Sequence, residues 1–407
     1  MKAKSKSRTG IASRFLYFVL MATALYSPEF ASALELNSIS IKGFLQLRGV
    51  GASEQMQSFS QNNLSAVTAV AHPFLNEQPK SLRDSFQVAQ SRLLIEYRPN
   101  EILVGRYEFD FIDFSKSTPT TTAVPRVRRL SIEYRPLYSD WHFLFGQDWD
   151  LVSPLGPFTY NWVSHAFQAG DLGFMRLEGI ALHDLNEQNE IATALAFPKS
   201  NTSSTDSLDE TSSPPVLELR YRYHTPKLQA GFSGLWTRLK SDPVSQNRFH
   251  SWTMNLFVEK TFTETFTLRS EGYAGKNTAG TGLQGLSQAT NAYGNPFEIG
   301  GYLSARVKIS NKSALFGLMG IAKCIQVNQV APMYARIPSL TRVSSNGPGI
   351  LWNITTMLGF DHELEPHFRF FAQISAHKTR HALLPVDCGS VSTMSAGMTE
   401  LGFQLDL

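Results

Sequence analysis

The sequence predicts an all-β fold: a transmembrane antiparallel β-barrel of about sixteen strands. Three observations predict it. Apolar residues recur with a period of two rather than 3.6, short polar connections alternate with long ones, and the chain ends inside a strand-like segment. A soluble β-sandwich would show the same alternation but has no reason to sort its connections by length, whereas a transmembrane barrel has short turns at one rim and long loops at the other.

The first 33 residues are predicted to be a secretory signal peptide rather than part of the fold. Basic residues precede an apolar run at 15–25, and Ala31, Ser32 and Ala33 form a small-residue cleavage pattern. The run is too short to cross a bilayer as a helix, although a membrane anchor is the alternative. We expect residues 34–407 to form one barrel domain, because no linker or change in composition divides them.

Removing the signal peptide changes the charge balance. The whole chain has 37 Lys and Arg against 34 Asp and Glu, and the first 33 residues hold five of those bases and one of those acids. The mature chain is therefore near neutral. Such a balance gives no reason to expect nucleic acid as a partner.

Strand-like segments have one apolar and one charged face. In 102–111, Leu103 and Tyr107 alternate with Arg106 and Glu108. The same division recurs in 87–98, 129–135, 175–181, 217–224, 268–274 and 303–309. Successive side chains of a strand point to opposite faces. In a membrane barrel the apolar face meets lipid and the polar face lines the lumen.

The connections alternate in length along the chain. Short ones are expected near 98–101, 137–140, 186–189, 226–227, 263–265, 311–312 and 365–367, and long ones at 52–84, 113–125, 150–171, 200–215, 240–247, 277–296, 328–349 and 379–394. We expect the short turns to be periplasmic and the long loops extracellular.

The third long connection, 150–171, has an unusual composition. It follows "FGQDWD" at 145–150 and contains Pro154, Pro157, two Phe, a Tyr and a Trp. Proline excludes a central strand here, yet the segment is too apolar for a solvated loop. It is therefore expected to pack against the inner wall of the barrel.

On "FGQDWD" and on "GDLGFMR" at 170–176, the chain resembles the sixteen-stranded Gram-negative porins, and DcaP-like porins in particular. The resemblance implies a homotrimer in the bacterial cell outer membrane, in contact with outer-membrane lipid and lipopolysaccharide. It also implies passive diffusion of small hydrophilic solutes, with a preference for anions such as carboxylates, and a third loop that narrows the pore. The chain departs from the usual pattern by ending on Leu407 rather than Phe or Trp. A plugged structural or adhesive barrel is the alternative.

Charged residues on the polar parity are the candidate pore lining: Arg92, Arg106, Arg129, Arg176, Glu108, Asp110, Glu133 and Glu178. They form either a row of guanidinium groups that favours anions or an ordinary network of paired charges. Asp148, Asp150 and Asp171 bracket the third loop, either as acids that face the arginines or as caps of the loop backbone.

The remaining motifs suggest no catalysis. There is no H-x-H, H-E-x-x-H or G-x-S-x-G sequence, so neither an enzyme, a metal site nor a cofactor is expected. Cys324 and Cys388 are the only cysteines. In an exported protein they could form a disulfide between outer loops, or remain two free thiols.

Overall fold

The structure is a computed structural model that describes residues 38–53, 83–88, 91–112, 124–160, 171–173, 175–196, 215–240, 248–278, 281, 283, 285–286, 297–325, 350–381 and 392–407. Its strands are β1 (Ile39–Ala52), β2 (Arg83–Gln87), β3 (Arg92–Tyr97), β4 (Leu103–Ile112), β5 (Val124–Tyr134), β6 (Trp141–Trp149), β7 (Met175–Asn186), β8 (Asn189–Ala196), β9 (Val216–Thr225), β10 (Leu228–Lys240), β11 (Arg248–Thr261), β12 (Phe266–Lys276), β13 (Phe297–Lys308), β14 (Ser313–Cys324), β15 (Ile350–Glu365), β16 (Phe368–His381) and β17 (Ser392–Asp406). The predicted signal peptide lies outside the described residues.

Antiparallel pairing closes these strands into one barrel. Each strand from β3 to β17 pairs with the next, and β17 returns to β1. On its other edge β1 pairs with β3 over Ile39 to Phe44 and with β2 over Arg48 to Ala52. Because β2 and β3 occupy one position in the ring, the barrel has sixteen strand positions. The predicted fold class is confirmed.

The break between β2 and β3 is a local irregularity in the wall. The last residue of β2, Gln87, pairs with Arg48, and the first residue of β3, Arg92, pairs with Phe44. The Ser91 hydroxyl accepts a hydrogen bond from the Gln46 amide at 2.9 Å and donates to the Gln46 carbonyl at 3.3 Å. A side chain thus satisfies both backbone groups of Gln46, which lies between the two stretches of ladder pairing.

The two faces of the wall differ as the period-two pattern predicts. On β5, Leu130 and Ile132 are 57% and 59% exposed, while Ser131 and Glu133 are 3% and 5% exposed. Large apolar residues cover the outside all around the ring. An exposed apolar surface of this extent is typical of a barrel whose outer solvent is lipid. Among the described residues, no helix is long and apolar enough to cross a bilayer.

The connections between strands also alternate. The turns 98–102, 135–140, 187–188, 226–227, 262–265, 309–312 and 366–367 leave one rim, and the longer connections leave the other. These rims are called the short-turn end and the long-loop end. Both the start of β1 and the end of β17 lie at the short-turn end, where Phe44 pairs with Asp406.

Candidate functional site

A β-bulge in β5 turns neighbouring arginines toward the lumen. Glu108 pairs with Arg129 and Phe109 pairs with Val127, so Arg128 is the extra residue. A bulge sets two residues of one strand against one of the next, which lets adjacent side chains share a face. Arg128 and Arg129 accordingly both form ion pairs with Glu108.

The sequence prediction included Arg129 but missed Arg126 and Arg128, because strict alternation from Arg129 assigns them to the lipid face. A signal was present in the sequence. Charged side chains on the lipid face of a membrane barrel cost about 2–4 kcal/mol each near mid-bilayer. Three arginines within 126–129 are therefore better explained by a bulge than by two lipid-facing charges.

Arginines on β3, β4 and β5 pair with carboxylates of neighbouring strands. The pairs, with N–O distances, are Arg92–Glu108 at 3.6 Å, Arg106–Glu133 at 2.6 Å, Arg126–Asp110 at 2.6 Å and Arg129–Asp148 at 2.8 Å. These four arginines are called the arginine wall. The geometry is that of a network of paired charges, and the row of guanidinium groups that favours anions stays a prediction.

Exposure distinguishes the two partners in each pair. The arginine-wall side chains are 12–21% exposed, whereas their carboxylate partners are 4–7% exposed. The same order holds for Arg222 against Glu190 and for Arg306 against Asp361. In these pairs the arginine is the more exposed partner, whereas Arg128 is 0% exposed against 7% for Glu108 and 4% for Asp110.

Arg176 and Glu178 of β7 occupy a different environment. Arg176 is 2% exposed, pairs with Glu218 at 3.0 Å and donates to the Thr281 carbonyl at 2.8 Å. Glu178 is also buried, and neither of its carboxylate oxygens has a hydrogen-bond partner among the described residues. Both residues lie on the inner face of the barrel wall and are buried, so their pore-lining role stays a prediction.

Residues 150–160, called the inner segment, follow β6 and lie against side chains of the opposite wall. Their backbone N–H groups donate to inward-facing side chains: Leu151 to Glu218, Leu155 to Glu271, Phe158 to Ser304 and Tyr160 to Gln373, at 2.8, 2.8, 2.9 and 3.1 Å. These acceptors belong to β9, β12, β13 and β16.

Carbonyl groups of the inner segment are satisfied in the same way. The Val152 carbonyl accepts from Asn255 at 2.7 Å and from Ser233, the Leu155 carbonyl from Tyr302 at 2.9 Å, the Gly156 carbonyl from Arg269 at 3.0 Å and the Tyr160 carbonyl from Gln46 at 3.2 Å. A proline-containing segment cannot satisfy its own backbone as a strand would. Wall side chains replace the missing ladder.

The apolar side chains of the inner segment pack inside the barrel. The Tyr160 ring stacks on Phe371 with centroids 4.4 Å apart and contacts Phe316 at 5.7 Å. Val152 packs with Leu172 and other buried residues on β8, β9, β10 and β12. This packing explains why a segment between two strands is so rich in apolar residues.

Three further arginines contact this region and were not predicted as site residues. Arg269 donates to the Gly156 carbonyl and lies over the Phe158 ring, 4.2 Å from its centroid. Arg306 lies over the Phe316 ring at 6.0 Å, and Arg369 donates to the Tyr160 hydroxyl at 3.5 Å. Sequence parity places them inward, but only the path of the inner segment brings them together.

The three aspartates around the loop have separate roles in the geometry. Asp148 lies on β6 rather than in the loop and accepts from Ser131 at 3.2 Å as well as from Arg129. Asp150 accepts from the Val152 and Ser153 amides at 2.8 and 3.2 Å, which is a capping arrangement.

Asp171 is 1% exposed and accepts from the Ser153 hydroxyl at 3.2 Å and from the Gly173 amide at 3.3 Å. Burial raises the pKa of the Asp171 carboxyl to about 8, opposed by the hydrogen bonds from Gly173 and Ser153. The Ser153 hydroxyl also donates to Glu271. Two buried carboxyl groups therefore compete for one hydroxyl proton, which favours a protonated partner.

Cys324 is buried at the end of β14, in contact with Leu286 and Ala322, and has no disulfide partner among the described residues. Cys388 lies outside the described residues, so the disulfide stays a prediction.

Comparison with known proteins places the fold. No family model and no curated protein sequence matches this chain. The outer membrane channel DcaP of Acinetobacter baumannii has a similar structure, with a TM-score of 0.68 and 11% identity over 91% of this chain and 97% of DcaP.

Two other solved structures are also similar. The anion-selective porin from Comamonas acidovorans has a TM-score of 0.56 and 12% identity over 91% of this chain and 99% of that one. OmpT, an outer membrane protein of Vibrio cholerae, has a TM-score of 0.54 and 11% identity over 91% and 97% of the two chains. The predicted resemblance is thus confirmed for the fold, which is the sixteen-stranded barrel of DcaP-like porins.

Proposed function

We propose that this chain is a porin of the bacterial outer membrane, through which small hydrophilic solutes diffuse passively and anions such as carboxylates pass preferentially. The observation that carries the proposal is the exposure difference within the arginine-wall ion pairs. A solute in the lumen meets guanidinium groups before it meets carboxylates. Charged rows select ions in channels, and guanidinium groups match the planar carboxylate.

In this proposal the loop 150–171 narrows the passage. The hydrogen bonds between the inner segment and β9, β12, β13 and β16 support that role, because they hold its backbone against the inner wall. Residues 161–170 lie outside the described residues. All three bracketing aspartates are buried; in this proposal Asp148 acts on the passage through its pair with Arg129, and Asp150 and Asp171 hold the loop.

The proposal includes a location and partners. The short-turn end is periplasmic and the long-loop end extracellular, the signal peptide 1–33 is removed, and the barrels form homotrimers surrounded by outer-membrane lipid and lipopolysaccharide. DcaP is an outer membrane channel, the Comamonas protein is an anion-selective porin, and one OmpT structure is a trimer form, which supports these assignments.

Planar-bilayer recording of the purified, refolded protein tests the function. We expect stable conductance steps in groups of three, and under a salt gradient a reversal potential of the sign that anion preference gives. Folding is checked on the same sample by the heat-dependent migration of β-barrels in gels. Folded protein that gives no conductance would contradict a porin and favour a plugged structural barrel.

A further inference from the structure

Among the strand residues whose side chains the structure describes, charges on the outer wall lie on one side of the barrel only. Over β1 to β9, the outward-facing residues whose side chains the structure describes include no Lys, Arg, Asp or Glu. Over β10 to β16, five basic residues face outward near the long-loop end: Arg238, Lys276, Lys323, Lys378 and Arg380. These five residues are called the basic belt.

Strand parity fixes the outward direction of the basic belt. Trp236, Ile321 and Ile374 are 40%, 45% and 58% exposed on the lipid face. Arg238 lies two residues beyond Trp236, Lys323 two beyond Ile321, and Lys378 four beyond Ile374. An even spacing along a strand places each of these basic residues on the same face as its apolar reference. No member of the basic belt forms an ion pair with a described residue.

Aromatic residues share the level of the basic belt. Trp236 pairs with Trp252, Trp252 with Lys276, and Lys276 with Phe297, in one row across four strands. Lys323 pairs with Trp352, which pairs with Arg380. Aromatic side chains of membrane barrels collect where hydrocarbon meets the polar headgroups. The basic belt therefore lies at headgroup depth rather than in the hydrocarbon.

The charge at this level is of one sign. Lys323 and Arg380 are two strands apart, about 10 Å between chains, and no described Asp or Glu faces outward at this level of β10 to β16. Like charges at this spacing repel in a medium less polar than water. An anionic partner of the membrane itself would offset that repulsion.

A groove adjoins the belt on the outside of β15, β16 and β17. It has a volume of about 550 Å³ and is bordered by Lys378. Its outward-facing lining consists of Ile354, Thr356, Ala376, Ser395 and Gly397, whose small size leaves the space open. An acyl chain whose headgroup sits at Lys378 would fit such a groove.

We propose that the basic belt binds the phosphate groups of the lipopolysaccharide in the surrounding leaflet, with the groove beside Lys378 holding one of its acyl chains. This inference rests on the proposed function, since it needs the long-loop end to face the extracellular leaflet. It adds which part of the barrel surface contacts that lipid. The uncharged wall of β1 to β9 is not expected to bind phosphate.

The test uses a fivefold variant and a control with the same change in charge. The variant is Arg238→Gln, Lys276→Gln, Lys323→Gln, Lys378→Gln and Arg380→Gln. The control removes five lysines near the short-turn end: Lys42→Gln, Lys227→Gln, Lys260→Gln, Lys308→Gln and Lys312→Gln. Refolded barrels in neutral detergent are titrated with diphosphorylated lipid A and with the same lipid stripped of phosphate, and binding is read by native mass spectrometry.

We expect the wild type and the control to bind the phosphorylated lipid at least tenfold more tightly than the stripped one, and the belt variant to lose that preference. An unchanged preference in the belt variant, or an equal loss in the control, would overturn the proposal. Complete displacement of the lipid by an equal concentration of inorganic phosphate would overturn it too, because the site would then hold a free anion.

Conductance of the same samples separates this inference from the proposed function. A belt variant that folds and conducts like the wild type but has lost lipid preference supports both. A wild-type barrel that prefers phosphorylated lipid yet never conducts would contradict the porin and leave the lipid site standing.

Discussion

The arginine wall on β3 to β5 and the sector of β9, β12, β13 and β16 use inward-facing polar side chains in different ways. In the arginine wall, charged side chains bind one another across strands and leave guanidinium groups at the inner surface. In the second sector, called the anchoring sector, they bind the backbone of the inner segment. The same period-two pattern thus gives either an open polar surface or a support for a loop.

The arginine wall and the region around the inner segment also differ in how their charged side chains are paired. Each arginine of the wall has a carboxylate partner, whereas Asp171 and Glu271 share the Ser153 hydroxyl. Near them, the Arg176–Glu218 pair is almost completely buried. An unmatched buried charge costs more than an exposed one. Removal of a single group should therefore disturb stability in the anchoring sector and mainly selectivity in the arginine wall.

The largest effect is expected for Arg176→Met. It leaves the Glu218 carboxylate, which also accepts from the Leu151 amide, without its cation. Breaking a buried pair on one side costs about 3–5 kcal/mol. The free energy of unfolding, measured by urea titration in detergent, should fall by that order.

A double variant controls for this loss. Arg176→Met with Glu218→Gln removes both charges and keeps an acceptor for Leu151, so most of the stability should return. If the double variant is as unstable as the single one, lost packing rather than an uncompensated charge is the cause.

The next effect concerns Glu271→Leu, which removes the acceptor for the Ser153 hydroxyl and the Leu155 amide. A buried donor left unsatisfied costs about 1–3 kcal/mol. We expect the inner segment to loosen, so that single-channel conductance rises and its fluctuations increase. Glu190→Gln is the matched control, because Glu190 pairs with Arg220 and Arg222 rather than with the segment. Equal conductance in Glu271→Leu and the wild type would contradict the anchoring role.

The fold was predictable because every strand of a closed barrel follows the same alternation of apolar and polar residues. Alternation at Leu130, Ser131, Ile132 and Glu133 is enough to assign faces, and it holds in the structure. Ends of strands and connection lengths followed from proline, glycine and polar clusters. Because each strand of the barrel pairs with its neighbour in sequence, the alternation and the connections are enough to predict the wall.

The site was less predictable because two of its features are not local. The bulge at Arg128 shifts parity by one residue, and nothing in strict alternation reveals it. Arg269 and Arg369 lie on strands far from the inner segment in sequence, so their contacts with Gly156 and Tyr160 depend on the path of that segment. Composition predicted that the segment would pack inside, but not which strands it would meet.

A smaller effect is expected from pH. The folded barrel binds the Asp171 proton more tightly than the unfolded chain, since burial raises the pKa from 3.8 to about 8. The stabilisation from the protonated form is therefore complete below about pH 4 and is lost as pH rises through about 8. Between pH 7 and pH 9 the loss should be about 1 kcal/mol.

Asp171→Asn tests that assignment, because its amide does not titrate. Its urea midpoint should be nearly flat between pH 5 and pH 9, while the wild type falls toward pH 9. Parallel curves for the two proteins would assign the pH dependence to another group.

The smallest effect in free energy concerns the arginine wall, although it decides the proposed selectivity. Replacing Arg92, Arg106, Arg126 and Arg129 with Gln removes the more exposed partner of each pair and leaves four carboxylates at the inner surface. The ratio of anion to cation permeability, from reversal potentials, should fall about threefold or more, or about 0.7 kcal/mol at the barrier. Arg238, Lys276, Lys323 and Lys378 changed to Gln give the same charge change on the outer face of the barrel and should leave the ratio near that of the wild type. If both variants shift the permeability ratio equally, net charge rather than the arginine wall sets selectivity. If neither variant shifts the ratio, the exposed guanidinium groups do not select ions.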